Sequence, residues 1–111
     1  MRSANILYNN IMAGQLTETN DGDYVYTYDT NYIDKYPEQF ITFSMPVRKE
    51  AFRDNRLFSF FEGLIPEGWL LDIATKNWKL NPNDRMGLLL ACCQNCIGAV
   101  SVKQIVENGD Q

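Results

Sequence analysis

The chain has 111 residues, ten basic and fourteen acidic side chains, and no histidine. That length suits one domain, and 45% apolar residues suit a packed core rather than a disordered chain. The missing histidine excludes a Ser-His-Asp triad, a Cys-His pair and an imidazole zinc site, and a net charge of −4 with scattered Lys and Arg argues against a phosphate-backbone partner.

The first half reads as strands. Ile6, Leu7 and Tyr8 lead into Asn9-Asn10, a hairpin turn pair, and Ile11 to Leu16 return from it. Asn20-Asp21-Gly22-Asp23 is a second turn, because Asp-Gly tolerates positive φ. Tyr24-Val25-Tyr26-Thr27-Tyr28 then alternates with period two, the tyrosines on one face and Val25 and Thr27 on the other. Asp29 to Glu38 reads as an irregular or single-turn connection. Phe40 to Met45 reads as a further strand that ends at Pro46.

The second half reads as helices. Leu57 to Glu62 is a short apolar helix with Gly63 placed to end it. Pro66 suits the first position of the next helix, and Glu67 suits its positive end. That helix is expected to run to Trp78 or Lys79. Asn81 and Pro82 cap and start a third, carrying Met86, Leu88, Leu89, Leu90 and Ala91. Gly98 to Val102 is a closing strand. The order predicts an α+β fold: an antiparallel sheet from the N-terminal half plus the C-terminal strand, packed by about three helices. One domain over 1–111 is expected, with its core at about 5–102 and a tail at 103–111.

Candidate chemistry is sparse. Cys93 and Cys96 form a C-x-x-C beside Cys92, with no second pair to complete a zinc site and no preceding strand for a redox motif. Buried packing is the simpler role for all three. Glu62, Glu67 and Asp72 could supply acid and base, but cap and dipole roles explain Glu62 and Glu67 without catalysis. No Gly-rich phosphate loop is present. No catalytic residue, cofactor or metal ligand is therefore expected.

The second helix carries the more informative surface. Leu70, Leu71, Ala74 and Trp78 fall in one roughly 100° sector, the core stripe. Trp69 lies roughly 150° from its centre, near Ile73, Asp72 and Lys76. An exposed Trp69 would be a protein-partner anchor, since tryptophan is enriched at interface hot spots. Packing against the Gly63–Pro66 turn or the sheet is the alternative. The odd cysteine count, with no visible signal peptide or membrane span, points to the cytoplasm.

These residues also carry a resemblance. Phe60-Phe61-Glu62-Gly63-Leu64-Ile65-Pro66-Glu67-Gly68 resembles the FFENLLPEG signature of HipA-type kinase toxins, in their N-terminal subdomain. Phe43-Ser44-Met45-Pro46-Val47 is similar to that family's LSLPL strand end, Tyr26-Thr27-Tyr28-Asp29 to its F-x-Y-D strand, and Cys96-Ile97-Gly98-Ala99-Val100 to its D-C-V-G-A-V closing strand. Gly63 stands where the family usually has Asn, and Asn95 where it often has Asp. The family's kinase core, with its catalytic His and Asp, has no counterpart in these residues. The resemblance implies a free-standing, HipS-like subdomain. It would be a non-catalytic antitoxin or regulatory subunit that binds and neutralises a separately encoded HipA-like serine/threonine kinase. A helix-turn-helix DNA-binding protein would join through a ternary complex. The partner-binding residues implied are Glu62, Gly63, Leu64, Ile65, Pro66, Glu67, Gly68, Trp69 and Ile73. The alternatives are an obligate activating or structural subunit of a split kinase and a small redox or acid-base enzyme.

Overall fold

The computed structural model describes residues 2–65, 72, 76, 81, 83–92 and 99–105. Its centre is a five-stranded antiparallel sheet built from β1 (Arg2–Tyr8), β2 (Ile11–Glu18), β3 (Tyr24–Tyr28), β4 (Phe52–Asp54) and β5 (Val100–Gln104). The spatial order is β4-β3-β2-β1-β5, so the last strand closes onto the first. Among the described residues three helices have both ends defined: α1 (Thr30–Lys35), α2 (Ser59–Glu62) and α3 (Arg85–Cys92). The architecture is α+β, as expected.

The turns explain the meander. Asn9 and Asn10 both have positive φ, 51° and 68°, as a two-residue type I′ hairpin requires, and Tyr8 pairs directly with Ile11. The register between β1 and β2 shifts after Ile6, which leaves Ala13 as the extra residue of a bulge. Gly22 supplies the positive φ, 88°, of the next turn.

Alternation then sorts the faces. Ala4, Ile6, Leu16, Tyr26, Tyr28, Val100 and Val102 are buried on one side of the sheet. On the other, Gln15, Thr27 and Lys103 are exposed, and the Ser3 and Thr17 hydroxyls bond to each other at 3.0 Å. All three helices contribute to the core on the tyrosine side. Tyr32 of α1 stacks on Tyr28 at 6.0 Å, Phe61 of α2 lies 5.9 Å from Tyr26, and α3 buries Met86, Leu88, Leu89 and Leu90. Gly14 permits this packing at its tightest point. A Cβ there would fall on the Thr27 carbonyl oxygen and 2.5 Å from the Tyr26 hydroxyl oxygen.

Several boundaries differ from the sequence reading. Asp29 to Glu38 contains a true helix, α1, because the Asp29 carboxylate caps it by accepting the Asn31 and Tyr32 N–H groups at 3.1 and 3.3 Å. Helix α3 begins later than Asn81-Pro82. Asn81 instead accepts from the Asn83 N–H at 2.9 Å, and Asp84 is the residue that caps, accepting from the Gly87 N–H at 3.2 Å. Arg2 grips Asp84 with two guanidinium nitrogens at 3.0 and 2.7 Å and also bonds Glu18 at 2.8 Å. That hydrogen bonding holds the Asp84 carboxyl below the usual carboxylate range. It ties the start of the sheet to the start of α3. Strand β5 continues past Val102 to pair Lys103 with Asn5 and Gln104 with Ala4.

The largest correction concerns Phe40 to Met45. It is a turn rather than a strand, closed by a single bridge between Thr42 and Met45. In a strand Ile41, Phe43 and Met45 would share a face. Here Ile41 and Met45 are buried and Phe43 is 89% exposed. The edge strand is formed instead by Phe52–Asp54, paired to Tyr24–Tyr26.

Candidate partner-binding segment

The candidate segment begins in α2, a single turn held by an aromatic cluster. Phe61 is fully buried, with Phe60 at 5.3 Å and Phe58 at 6.2 Å in edge-to-face arrangement. Glu62 then faces the solvent rim. Its carboxylate receives the Arg85 guanidinium through Nη2 at 2.8 Å and Nε at 3.1 Å. Both side chains are about one-third exposed. This forked pair fixes the end of α2 against the first turn of α3.

Gly63 ends α2 without using glycine's special freedom. Its φ of −67° and ψ of −16° are right-handed, and a Cβ would meet neighbours no closer than 3.4 Å. Gly63 thus ends the helix as expected, in a right-handed conformation that other residues can also adopt. The chain continues as tight turns. The Gly63 N–H donates to the Ser59 carbonyl at 3.0 Å, Leu64 to Phe61 at 3.0 Å and Ile65 to Glu62 at 3.2 Å. Gly63 is exposed, Leu64 is half-buried against the core, and Ile65 is inside it at 2% exposure.

Of the expected site residues, Glu62, Gly63, Leu64 and Ile65 thus form one continuous ledge over the core. Pro66, Glu67, Gly68, Trp69 and Ile73 lie outside the described residues, as do Leu70, Leu71, Ala74 and Trp78. Asp72 and Lys76 are helical and exposed, and they form an i,i+4 ion pair at 3.4 Å. Cys93 and Cys96 also lie outside the described residues, and Cys92 is the last residue of α3. Among the described residues no group of three or more metal-ligating side chains converges, and no helix is long and apolar enough to cross a membrane.

Two residues escaped the sequence reading. Arg85, the partner of Glu62, is 23 positions away with no local signal linking them. Phe43 lies in the Phe40–Met45 segment that reads as a strand, although Ser44 and Pro46 beside it favour a turn.

The comparisons with known proteins bear on the whole of this arrangement. The model of the HipA N-terminal domain family matches residues 4–103. The chain belongs to the HipA N-terminal domain family. An uncharacterised protein of Haemophilus influenzae is 30% identical over 64 residues, a stretch covering 58% of this chain. The chain spans about three fifths of the length of that curated relative, 60%. The solved N-terminal domain of HipA toxin superposes with a TM-score of 0.72 at 23% identity, covering 97% of this chain and 96% of that one. That likeness establishes the fold, and the family match establishes kinship with the HipA N-terminal domain.

Proposed function

We infer that this chain is a non-catalytic protein-binding module, an antitoxin or regulatory subunit that binds and neutralises a separately encoded HipA-type serine/threonine kinase. The family match over residues 4–103 carries the reading, because it makes these residues a HipA N-terminal domain, which is distinct from the family's kinase core. Such a domain meets its parent protein through an inter-domain surface of typically about 600–1,500 Å². The same surface offered in trans suffices for a complex. Glu62 to Trp69, with Ile73, supplies the contact. The buried Ile65 and the Glu62–Arg85 pair stiffen its base. The complex works in the cytoplasm, and a helix-turn-helix DNA-binding protein joins through the kinase.

Phosphorylation by a HipA-type kinase from the same genome, measured with rising amounts of the full chain, tests this. Activity is expected to fall and level off near equimolar chain. A rise would instead make this an activating subunit, and unchanged activity would refute regulation of either sign.

A further inference from the structure

Phe43 is a large apolar side chain that the core does not use. It is 89% exposed, at a turn closed by the Thr42–Met45 bridge. The turn is held firmly from beneath. The buried Tyr28 hydroxyl donates to the Met45 carbonyl and accepts the Ile41 N–H at 3.1 Å. The Tyr32 hydroxyl donates to the Gln39 carbonyl at 2.6 Å. Ile41 and Met45, on either side of the tip, are core residues. Phe40 packs beside Phe43 with ring centroids 5.0 Å apart. An aromatic ring is thus presented to water on a frame whose ends are anchored. Such preorganisation removes an ordering cost from binding.

A lone exposed apolar residue means little by itself. The charge beside it adds direction. A groove of about 290 Å³, lined by Ser44, Met45, Phe52, Asp54, Phe58 and Ser59, connects the turn to β4 and to the start of α2. On and around β4 stand Arg48, Lys49, Arg53 and Arg56, all exposed, against Glu50, Asp54 and Asp23. Bases outnumber acids here by one, in a chain where acids outnumber bases by four. Arg53 is paired with Asp23 at 3.4 Å. Among the described residues, no carboxylate lies within ion-pair distance of Arg48, Lys49 or Arg56. Arg48 is positioned as well as exposed. Its guanidinium sits 3.7 Å over the Phe52 ring and donates to the Glu50 and Ala51 carbonyls at 3.2 and 3.3 Å.

We propose that the Phe43 turn and the Arg48–Arg56 flank form one docking surface, for an apolar recess rimmed by carboxylates on the HipA-type kinase polypeptide. The proposal rests on the reading that this chain binds such a kinase, and it adds a contact separate from the Glu62–Trp69 segment. Phe43 enters the recess, and Arg48, Lys49 and Arg56 face the acidic rim. Charge complementarity of this kind speeds encounter and fixes register. Basic side chains with an exposed aromatic also suit single-stranded nucleic acid. The interleaved Glu50 and Asp54 and the overall acid excess favour a protein.

The test is calorimetric titration of the full chain and its variants into the HipA-type kinase, at low and physiological salt. Phe43→Ala is expected to weaken binding at least tenfold, the scale of a hot-spot truncation. Its melting temperature should match wild type, since the side chain leaves no cavity. The double variant Lys49→Glu with Arg56→Glu is expected to weaken binding and flatten its salt dependence. Wild-type affinity in both variants would overturn the surface while leaving the kinase reading intact. Failure of the wild-type chain to bind the kinase would overturn both. Tight binding of an oligothymidylate that is lost in Phe43→Ala would overturn the protein assignment in favour of nucleic acid.

Discussion

In Tyr24–Tyr28 the aromatic rings turn inward beneath the helices, whereas in the Phe40–Met45 turn the most exposed ring points out to water. Both segments are short and aromatic, and both read as strands. The first has a ladder on each side, to β2 and to β4, so the pleat decides which side chains are buried. The second has one isolated bridge, and its backbone groups are satisfied instead by tyrosine hydroxyls reaching up from the first segment and from α1. The buried tyrosines therefore serve two ends. Their rings fill the core, and two of their hydroxyls position a loop that carries no ladder of its own.

This division of labour can be broken at defined points. Gly14→Ala attacks the inward segment most severely. Its Cβ would collide with the Thr27 carbonyl oxygen and the Tyr26 hydroxyl, and overpacking against backbone should cost roughly 3 kcal/mol in a denaturant titration. Tyr28→Phe separates the two roles. The ring stays, but the buried Met45 carbonyl and Ile41 N–H lose their partner, for a loss of about 2 kcal/mol. Burial already pushes this hydroxyl up to about 12, so its protonated form is the one the fold requires. The same variant should loosen the Phe43 turn and weaken kinase binding.

Smaller effects sharpen the contrast. Asp84 has its folded pKa depressed by Arg2, so its contribution is present above the unfolded carboxylate value of about 4 and is lost as pH falls through the lower folded value. Melting temperature followed downward from pH 5 should drop less in Asp84→Asn than in wild type. The group is partly exposed, and solvent screening holds the difference below about 1 kcal/mol. Tyr26→Phe should be the mildest. The Tyr26 hydroxyl is buried with no hydrogen-bond partner among the described residues, so removing it should leave stability unchanged or raise it by up to about 1 kcal/mol. A clear loss in that variant would show that this hydroxyl, like those of Tyr28 and Tyr32, supports something.

Much of the fold was legible because local chemistry dictated it. Asn9-Asn10 demanded a hairpin, the tyrosine alternation demanded a half-buried strand, and Met86 to Leu90 demanded a buried helix. What escaped depends on partners distant in sequence. Phe52–Asp54 carries Arg53 and Asp54 and has no apolar alternation, and only the free edge of β3 makes it a strand. Phe40–Met45 has strand-like composition, but the single Tyr28 hydroxyl, 13 positions from Ile41 and 17 from Met45, holds it as a turn. Within the candidate segment, the Phe-Phe-Glu run was readable as a short helix. The Arg85 clamp on Glu62 was not, because nothing near either residue announces the other.

The central claim is that this HipA N-terminal domain engages a separately encoded kinase, and direct binding tests it most simply. Titration of the full chain into a HipA-type kinase from the same genome should show saturable, equimolar association with a dissociation constant at or below about 1 μM. No association at protein concentrations well above that value would contradict the account.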